Sequence, residues 1–149
     1  MLKALRAKMN GYSIKNSKKM NGHDGLIWSA TILKGKDKIV EAVDDGNGGG
    51  VHMSYHFNKT LQDQFVADAK KHDPKAQFEV DGTYAAFLTE THENIKRIER
   101  MCKTKTLVVM TTDKPDKCSM YKVPYTPQFG QRLRQLHGAK ILTIVNEEV

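Results

Sequence analysis

Apolar and polar residues alternate along the first half of the chain in the manner of β-strands. Residues 26–33 predict one strand, and residues 38–43 predict a second that returns after a short polar turn. Two short strands separated in this way are typical of a β-hairpin. Residues 51–57 alternate again and predict a further strand, with Val51 and Phe57 on the same face.

Helical spacing replaces this alternation in the middle of the chain. Thr60 and Asp63 resemble a capping box, which predicts a helix from residue 60 to about residue 72. A longer helix is predicted over residues 83–102, because apolar side chains recur there every three or four positions. These positions are Tyr84, Phe87, Leu88, Thr91, Ile95, Ile98 and Cys102.

The C-terminal third predicts a hairpin, a helix and a final strand. The strands are expected over residues 106–112, 118–123 and 140–145, with a turn over 113–117. Thr126 and Pro127 suit the cap and first position of a helix, and Gly138 suits its end. The side chains that this helix would direct inward are those of Phe129, Leu133 and Leu136.

Together these elements predict an α+β fold in a single domain of 149 residues. The expected architecture is one mixed, mainly antiparallel sheet of about five to six strands, with three helices on one face. Residues 1–22 carry no clear pattern and stay unassigned. No apolar run approaches the ~20 residues of a membrane span, so we expect a cytoplasmic protein that does not enter membranes.

The charge of the chain favours an anionic partner. Lys and Arg number 24 against 17 Asp and Glu, for a net charge of +7. Nucleotides, nucleic acids and acidic protein surfaces are the partners that such an excess attracts. Arg97 and Arg100, in the long helix, and Arg132 and Arg134, in the last helix, are candidate ligand-binding residues. Cations near a helix end also complement its dipole, which is the purely structural alternative.

A glycine loop over residues 44–50 is the most unusual segment of the chain. Glycine adopts positive φ without strain, so the N–H groups of such a loop can form a nest that binds phosphate. The loop lacks the Gly-Lys-Ser/Thr ending of a P-loop and precedes a strand, so a simple connection is the alternative. Its candidate ligand-binding residues are Asp45, Gly46, Asn47, Gly48 and Gly49.

His52 and His56 follow the loop and join the candidate ligand-binding residues. In an extended strand they would lie about 13 Å apart, too far to share one zinc ion. We find no set of metal ligands and no cofactor motif, and we expect the protein to use neither. A phosphodiesterase or nuclease that uses either histidine with Asp44 and Asp45 is the enzymatic alternative.

Segments near the two ends of the chain carry a family resemblance. They are WSAT at 28–31 with DDGNGG at 44–49, and KVPYTP at 122–127 with the helix and strand that follow. In these segments, which cover about half of the chain, the protein resembles a group of small uncharacterised bacteriophage proteins. The resemblance implies a phage genome and the cytoplasm of an infected bacterium, and it assigns no catalytic residue.

The leading hypothesis combines the charge, the loop and this setting. Small phage accessory proteins often antagonise host defence by stoichiometric binding, so we expect a non-enzymatic binder of a nucleotide signal or a nucleic acid. An inhibitor that docks on an acidic surface of a host enzyme is the alternative from another class. The sequence leaves the oligomeric state open, with a homo-oligomer among the alternatives.

Overall fold

The computed structural model describes residues 1–114 and 117–149. Within them the protein is an α+β structure with four α-helices and two antiparallel sheets, which confirms the predicted fold class. The helices are α1 (Leu2–Lys8), α2 (Lys59–His72), α3 (Val80–Cys102) and α4 (Pro127–His137). The strands are β1 (Tyr12–Asn21), β2 (Leu26–Lys34), β3 (Asp37–Asp44), β4 (His52–Tyr55), β5 (Thr106–Met110), β6 (Ser119–Tyr121) and β7 (Ile141–Ile144). Short 3-10 helices occupy Gly138–Lys140 and Val145–Glu148.

Contacts along the backbone group the chain into two compact units. The central unit is the continuous segment Met9–His92. The terminal unit combines Met1–Lys8 with Glu93–Val149, so it is built from two segments that are far apart in sequence. α3 contributes residues to both units.

The central unit contains the four-stranded sheet, in the order β1-β2-β3-β4, with every neighbouring pair antiparallel. The predicted hairpin is confirmed as β2 and β3, with Gly35 at φ 62° in the turn between them. Ile32 and Val40 are direct partners in this hairpin and both are completely buried, which fixes its register. β1 lies at the sheet edge, and its pairing with β2 is irregular between Lys15 and Lys18.

The core of the central unit is aromatic. The ring of Phe65, from α2, lies 5.4 Å from the rings of both Tyr12 and Tyr84. Phe65 is completely buried, as the helical spacing of α2 predicts. Tyr12 donates its hydroxyl proton to Asp68 over 2.8 Å, so the polar atom of this buried ring has a partner.

The terminal unit contains the three-stranded sheet, in the order β6-β5-β7, which is also antiparallel. α4 packs on this sheet, and the buried core between them consists of Val108, Leu133 and Ile144. The helix begins and ends as predicted. Thr126 caps it by accepting the Phe129 N–H over 3.1 Å, Pro127 is its first residue, and Gly138 follows its last.

Asn146 connects three segments of the terminal unit. Its Oδ1 atom accepts the N–H of Leu107, in β5, over 2.8 Å. Its Nδ2 atom donates to the carbonyls of Cys102 at 3.0 Å and Lys105 at 2.8 Å. The last carbonyls of a helix have no partner within the helix, and Asn146 supplies one for the end of α3.

The strands form two sheets of four and three, where the sequence predicts one sheet of five or six, and a fourth helix is present. The elements missing from the prediction are α1 and β1, both within residues 1–22. α1 has only seven residues, too few to display a helical period. β1 buries only Tyr12 and Ile14, because an edge strand exposes most of its side chains.

Two predicted boundaries around α2 are wrong. Asn58 caps the helix by accepting the Leu61 N–H over 3.1 Å, where the sequence suggests Thr60. Asn is preferred over Thr at this position because its side chain reaches the helix N–H groups more readily. β4 ends at Tyr55, so Phe57 lies outside the strand and is fully exposed.

In α4, Leu136 is 68% exposed, although helical spacing directs it inward. Gly130 is buried beside Leu133 instead, and the ring of Tyr125 fills the space above it. A Cβ atom on Gly130 would lie 2.9 Å from that ring. α3 begins three residues earlier than predicted, and the predicted turn over 113–117 lies partly outside the described residues.

We predict that Asn146→Ala destabilises the protein by roughly 2–3 kcal/mol, since it removes three hydrogen bonds of about 1 kcal/mol each. Asn146→Asp should be at least as harmful, because its carboxylate would face two carbonyl oxygens. Urea denaturation measures both, with Asn21→Ala on exposed β1 as the control. Wild-type stability in Asn146→Asp would contradict the role of the Nδ2 donor.

Candidate anion-binding surface

The net positive charge of the protein belongs to one of its two units. The terminal unit contains 14 Lys and Arg against six Asp and Glu, a net charge of +8. The central unit contains ten against 11, a net charge of −1, and the two values account for the total of +7. All five arginines belong to the terminal unit: Arg6, Arg97, Arg100, Arg132 and Arg134.

Three of the four candidate arginines are exposed and carry no ion pair within the part of the chain that the structure describes. Arg97 and Arg100 lie in the last two turns of α3, and Arg132 lies in α4. Among the described residues no carboxylate pairs with any of them. Arg100 makes one long bond, from Nε to the carbonyl of Lys96 at 3.4 Å. An anion that reaches these guanidinium groups therefore displaces no carboxylate of residues 1–114 or 117–149.

Arg134 differs because it already has an anionic partner. Its two terminal nitrogens donate to the two oxygens of Glu147 at 3.0 and 2.6 Å, and the hydroxyl of Tyr125 donates to Glu147 at 2.7 Å. The hydrogen bonds from Arg134 lower the pKa of Glu147 below its usual value, and the hydrogen bond from Tyr125 acts in the same direction. We interpret Arg134 as part of the structure of the terminal unit.

The glycine loop in the central unit uses its own carboxylates to satisfy its backbone. Asp44 accepts the Gly46 N–H over 2.8 Å, and Asp45 accepts the Asn47 N–H over 3.1 Å. Two of the N–H groups that a phosphate nest would offer are thereby engaged within the loop. The same two carboxylates place negative charge where a phosphate would sit.

The loop glycines fall into two groups by their surroundings. Gly46 is buried at φ 73° against the backbone of Gly25, and a Cβ atom there would lie 3.3 Å from it. A Cβ atom on Gly50 would meet the carboxylate of Glu79, which is the end of a flexible side chain and would have to move. Gly48 and Gly49 have open space around them, and of these two only Gly48 has a positive φ, at 74°.

The two candidate histidines, the exposed His52 in β4 and the half-buried His56 directly after it, each lie near a carboxylate. His52 Nε2 is 4.0 Å from Asp45, and His56 Nε2 is 3.7 Å from Glu41. The structure therefore brings His52 and Asp45 of the glycine loop together. Among residues 1–114 and 117–149, no group of three or more His, Cys, Asp or Glu is arranged to hold a metal ion.

The predicted site residues thus divide between the units. Asp45, Gly46, Asn47, Gly48, Gly49, His52 and His56 belong to the central unit, and the four arginines belong to the terminal unit. The participation of each in ligand binding stays a prediction. The sequence alone does not reveal this uneven distribution of net charge, because the terminal unit combines two segments that are far apart in the chain. A count of charged residues along the sequence does not group these two segments together.

Comparison with known proteins adds no relative: no protein-family model, curated protein or solved structure matches this chain. No helix in the described part of the chain is both long and apolar enough to cross a membrane. Inference about function therefore rests on the chemistry of the residues themselves.

Alanine substitutions in the glycine loop should separate backbone strain from packing. Gly49→Ala should leave stability unchanged or raise it by up to ~1 kcal/mol, since its site is open and its φ is not positive. Gly48→Ala should cost about 1–2 kcal/mol for a left-handed residue. Gly46→Ala should cost more than either, because its φ is positive and its Cβ atom would also lie in tight contact with Ile27 at 3.1 Å and the Gly25 backbone at 3.3 Å. Thermal melting of the three variants gives the order, and a different order would contradict these roles.

The Glu147 ion pair predicts how stability depends on pH. The pKa of Glu147 in the folded protein lies below its usual value of 4.5. The ion pair therefore contributes its full stabilisation above pH 4.5, and this stabilisation is lost as pH falls through the folded pKa. We expect Glu147→Gln to lower the free energy of unfolding by up to about 1 kcal/mol at pH 7. Between pH 6 and 3 the variant should lose less stability than the wild type. Denaturation at each pH measures this, with Glu90→Gln as an exposed control. Parallel curves for wild type and Glu147→Gln would contradict the assignment.

Proposed function

We propose that this protein is a non-enzymatic, stoichiometric binder of an anionic ligand, either a nucleotide or a nucleic acid, and that its terminal unit provides the binding surface. The observation that carries this proposal is the charge of +8 on that unit beside −1 on the central unit. A charge that is confined to one unit creates a stronger local potential than the same charge spread evenly.

The type of cation supports phosphate as the chemical group that is bound. Arginine presents a planar fork of N–H donors that matches a phosphate in two places at once. Arg97, Arg100 and Arg132 are exposed and free of ion pairs among the described residues. Three arginines of this kind in the unit that carries the excess charge favour a phosphate-containing ligand.

The glycine loop is the weaker candidate for the same ligand. Its Gly46 and Asn47 N–H groups are engaged by Asp44 and Asp45, and it belongs to the unit with a slight negative charge. A phosphate there would meet two carboxylates before it met a cation. We therefore assign the loop to the connection between β3 and β4 and place the ligand on the terminal unit.

The resemblance to small bacteriophage proteins extends the proposal to a biological setting. A stoichiometric binder of nucleotides in the cytoplasm of an infected bacterium could sequester a signal on which host defence depends. A binder of nucleic acid could shield it from host nucleases. Both actions need binding without turnover.

Inhibition of a host enzyme through an acidic surface is the second candidate. The observation that favours it is the exposure of apolar side chains on both edge strands of the terminal sheet, Met120 at 44% on β6 and Leu142 at 64% on β7. Apolar side chains among basic ones suit a protein partner with acidic residues around an apolar centre.

Paired neutralising variants test the proposed surface. Arg97→Gln with Arg100→Gln removes two cations from the terminal unit, and Lys18→Gln with Lys36→Gln removes two exposed cations from the central unit. Both double variants have the same net charge. We expect the arginine pair to weaken binding of a fluorescent single-stranded oligonucleotide at least tenfold and to lower the salt slope by about 1–2, since each neutralised phosphate releases counterions. The lysine pair should change binding less than threefold.

Equal losses in both double variants would show that net charge alone attracts the oligonucleotide, which contradicts a surface on the terminal unit. Binding that survives half-molar salt with a sequence preference would contradict the electrostatic basis. Cleavage of the oligonucleotide by pure protein, lost in His52→Ala, would replace binding with the enzymatic alternative.

A further inference from the structure

A groove of about 490 Å³ lies within the terminal unit, between α1 and the three-stranded sheet. Val109 and Thr143 are direct partners in β5 and β7 and form part of its floor. They alternate with Val108 and Ile144, which belong to the core under α4, so the groove opens on the opposite face of the sheet. Ala4 and Leu5 of α1 form a wall.

The wall of the groove is held in place by polar contacts to the end of the chain. The Met1 amino group donates to both carboxylate oxygens of Glu148, at 2.9 and 3.0 Å, and the Lys3 N–H donates to one of them at 2.9 Å. Arg6 donates to the backbone carbonyl of Glu148 at 2.7 Å and pairs with Glu99 at 2.8 Å. These contacts attach α1, which forms the groove wall, to Glu148 and Glu99.

Among the described residues, the lysines that line the groove form no ion pair, whereas its two carboxylates accept hydrogen bonds. Lys8, Lys114 and Lys117 line it, and none forms an ion pair among the described residues. The Glu148 carboxylate accepts the hydrogen bonds from Met1 and Lys3 described above. Partial burial raises the pKa of Glu148, but these hydrogen bonds outweigh that effect and lower the pKa below its usual value. Asp113 accepts the Met110 N–H over 2.8 Å. Within residues 1–114 and 117–149, Lys8, Lys114 and Lys117 have no carboxylate partner and can bind an external anion.

We propose that this groove binds a small nucleotide, with its phosphate on Lys8, Lys114 and Lys117 and its base against the apolar floor and wall. The inference rests on the proposed function, and it assigns mononucleotides or comparably small nucleotides to a site of the terminal unit that Arg97, Arg100 and Arg132 do not line. Val109 and Leu142 provide the apolar contact for a base. The carboxylate of Asp113 has further acceptor capacity for a ribose hydroxyl or an amino group of the base.

The size of the groove decides between a nucleotide and a nucleic acid. Its volume of about 490 Å³ falls within the ~300–1,000 Å³ typical of small-molecule sites. A nucleic acid contacts an extended surface, whereas this groove offers a local concavity. Three lysines that line one groove match one phosphate group better than a long, evenly charged backbone.

Calorimetry tests the groove by measuring the affinity of the protein for adenosine monophosphate and guanosine monophosphate. Inorganic phosphate is measured as the comparison ligand. Lys114→Gln with Lys117→Gln removes two of its cations, and Lys103→Gln with Lys122→Gln removes two exposed cations of the same unit outside it. We expect the first pair to weaken mononucleotide binding at least tenfold and the second less than threefold. Ala4→Phe fills the groove without a charge change and should abolish binding, with thermal melting as the check on its fold.

The results separate this inference from the function on which it rests. If wild type binds the oligonucleotide but no mononucleotide, the groove assignment is wrong and the proposed function stands. If inorganic phosphate binds as tightly as the mononucleotides, the apolar floor contributes nothing and the nucleotide class is wrong. Equal losses in the two lysine pairs, or unchanged binding in folded Ala4→Phe, would also overturn the groove. If neither the oligonucleotide nor the mononucleotides bind, both the groove assignment and the proposed function are wrong.

Discussion

Three consecutive side chains, Asn146, Glu147 and Glu148, hold the terminal unit together. Asn146 joins the end of α3 to β5, Glu147 fixes α4 through Arg134, and Glu148 fixes α1 through Met1 and Lys3. Each contact uses a charged or bifunctional polar group, and such groups form the stronger hydrogen bonds in proteins. Leu133 of α4 lies in the core with Val108 and Ile144, and Leu2 of α1 is also buried, so these polar contacts orient helices that also pack through apolar side chains.

The same contacts explain how the unit combines a large positive charge with a defined shape. Only six acidic residues oppose its 14 cations, and two of the six are Glu147 and Glu148. Glu147 forms an ion pair with Arg134, and Glu148 forms one with the Met1 amino group. Neither of them pairs with the exposed arginines of α3. The excess charge therefore remains on the surface and around the groove, where it can attract an anion.

How much the sequence could predict depended on how local each signal is. The cap at Thr126 and the stop at Gly138 are decided by neighbouring residues, and both are correct. The division of the strands into two sheets depends on which distant segments pair, and hydrophobic periodicity does not encode that pairing. The same holds for the position of α1 in the terminal unit. For the candidate site, the sequence could indicate exposed arginines and a glycine loop. It could not show that Asp44 and Asp45 engage the loop N–H groups, or that Glu147 engages Arg134.

The discontinuous make-up of the terminal unit has a consequence for the order in which the protein assembles. The contacts of Met1, Lys3 and Arg6 with Glu148 span 142 to 147 residues of sequence, whereas the central unit draws on one unbroken segment. Closing a loop of that length carries an entropic cost, which grows with the logarithm of the length and must be met before the contacts form. Contacts between such distant residues also slow folding. The groove wall should therefore be among the last parts to form, after the residues of β7 and the 3-10 helix beyond it have left the ribosome.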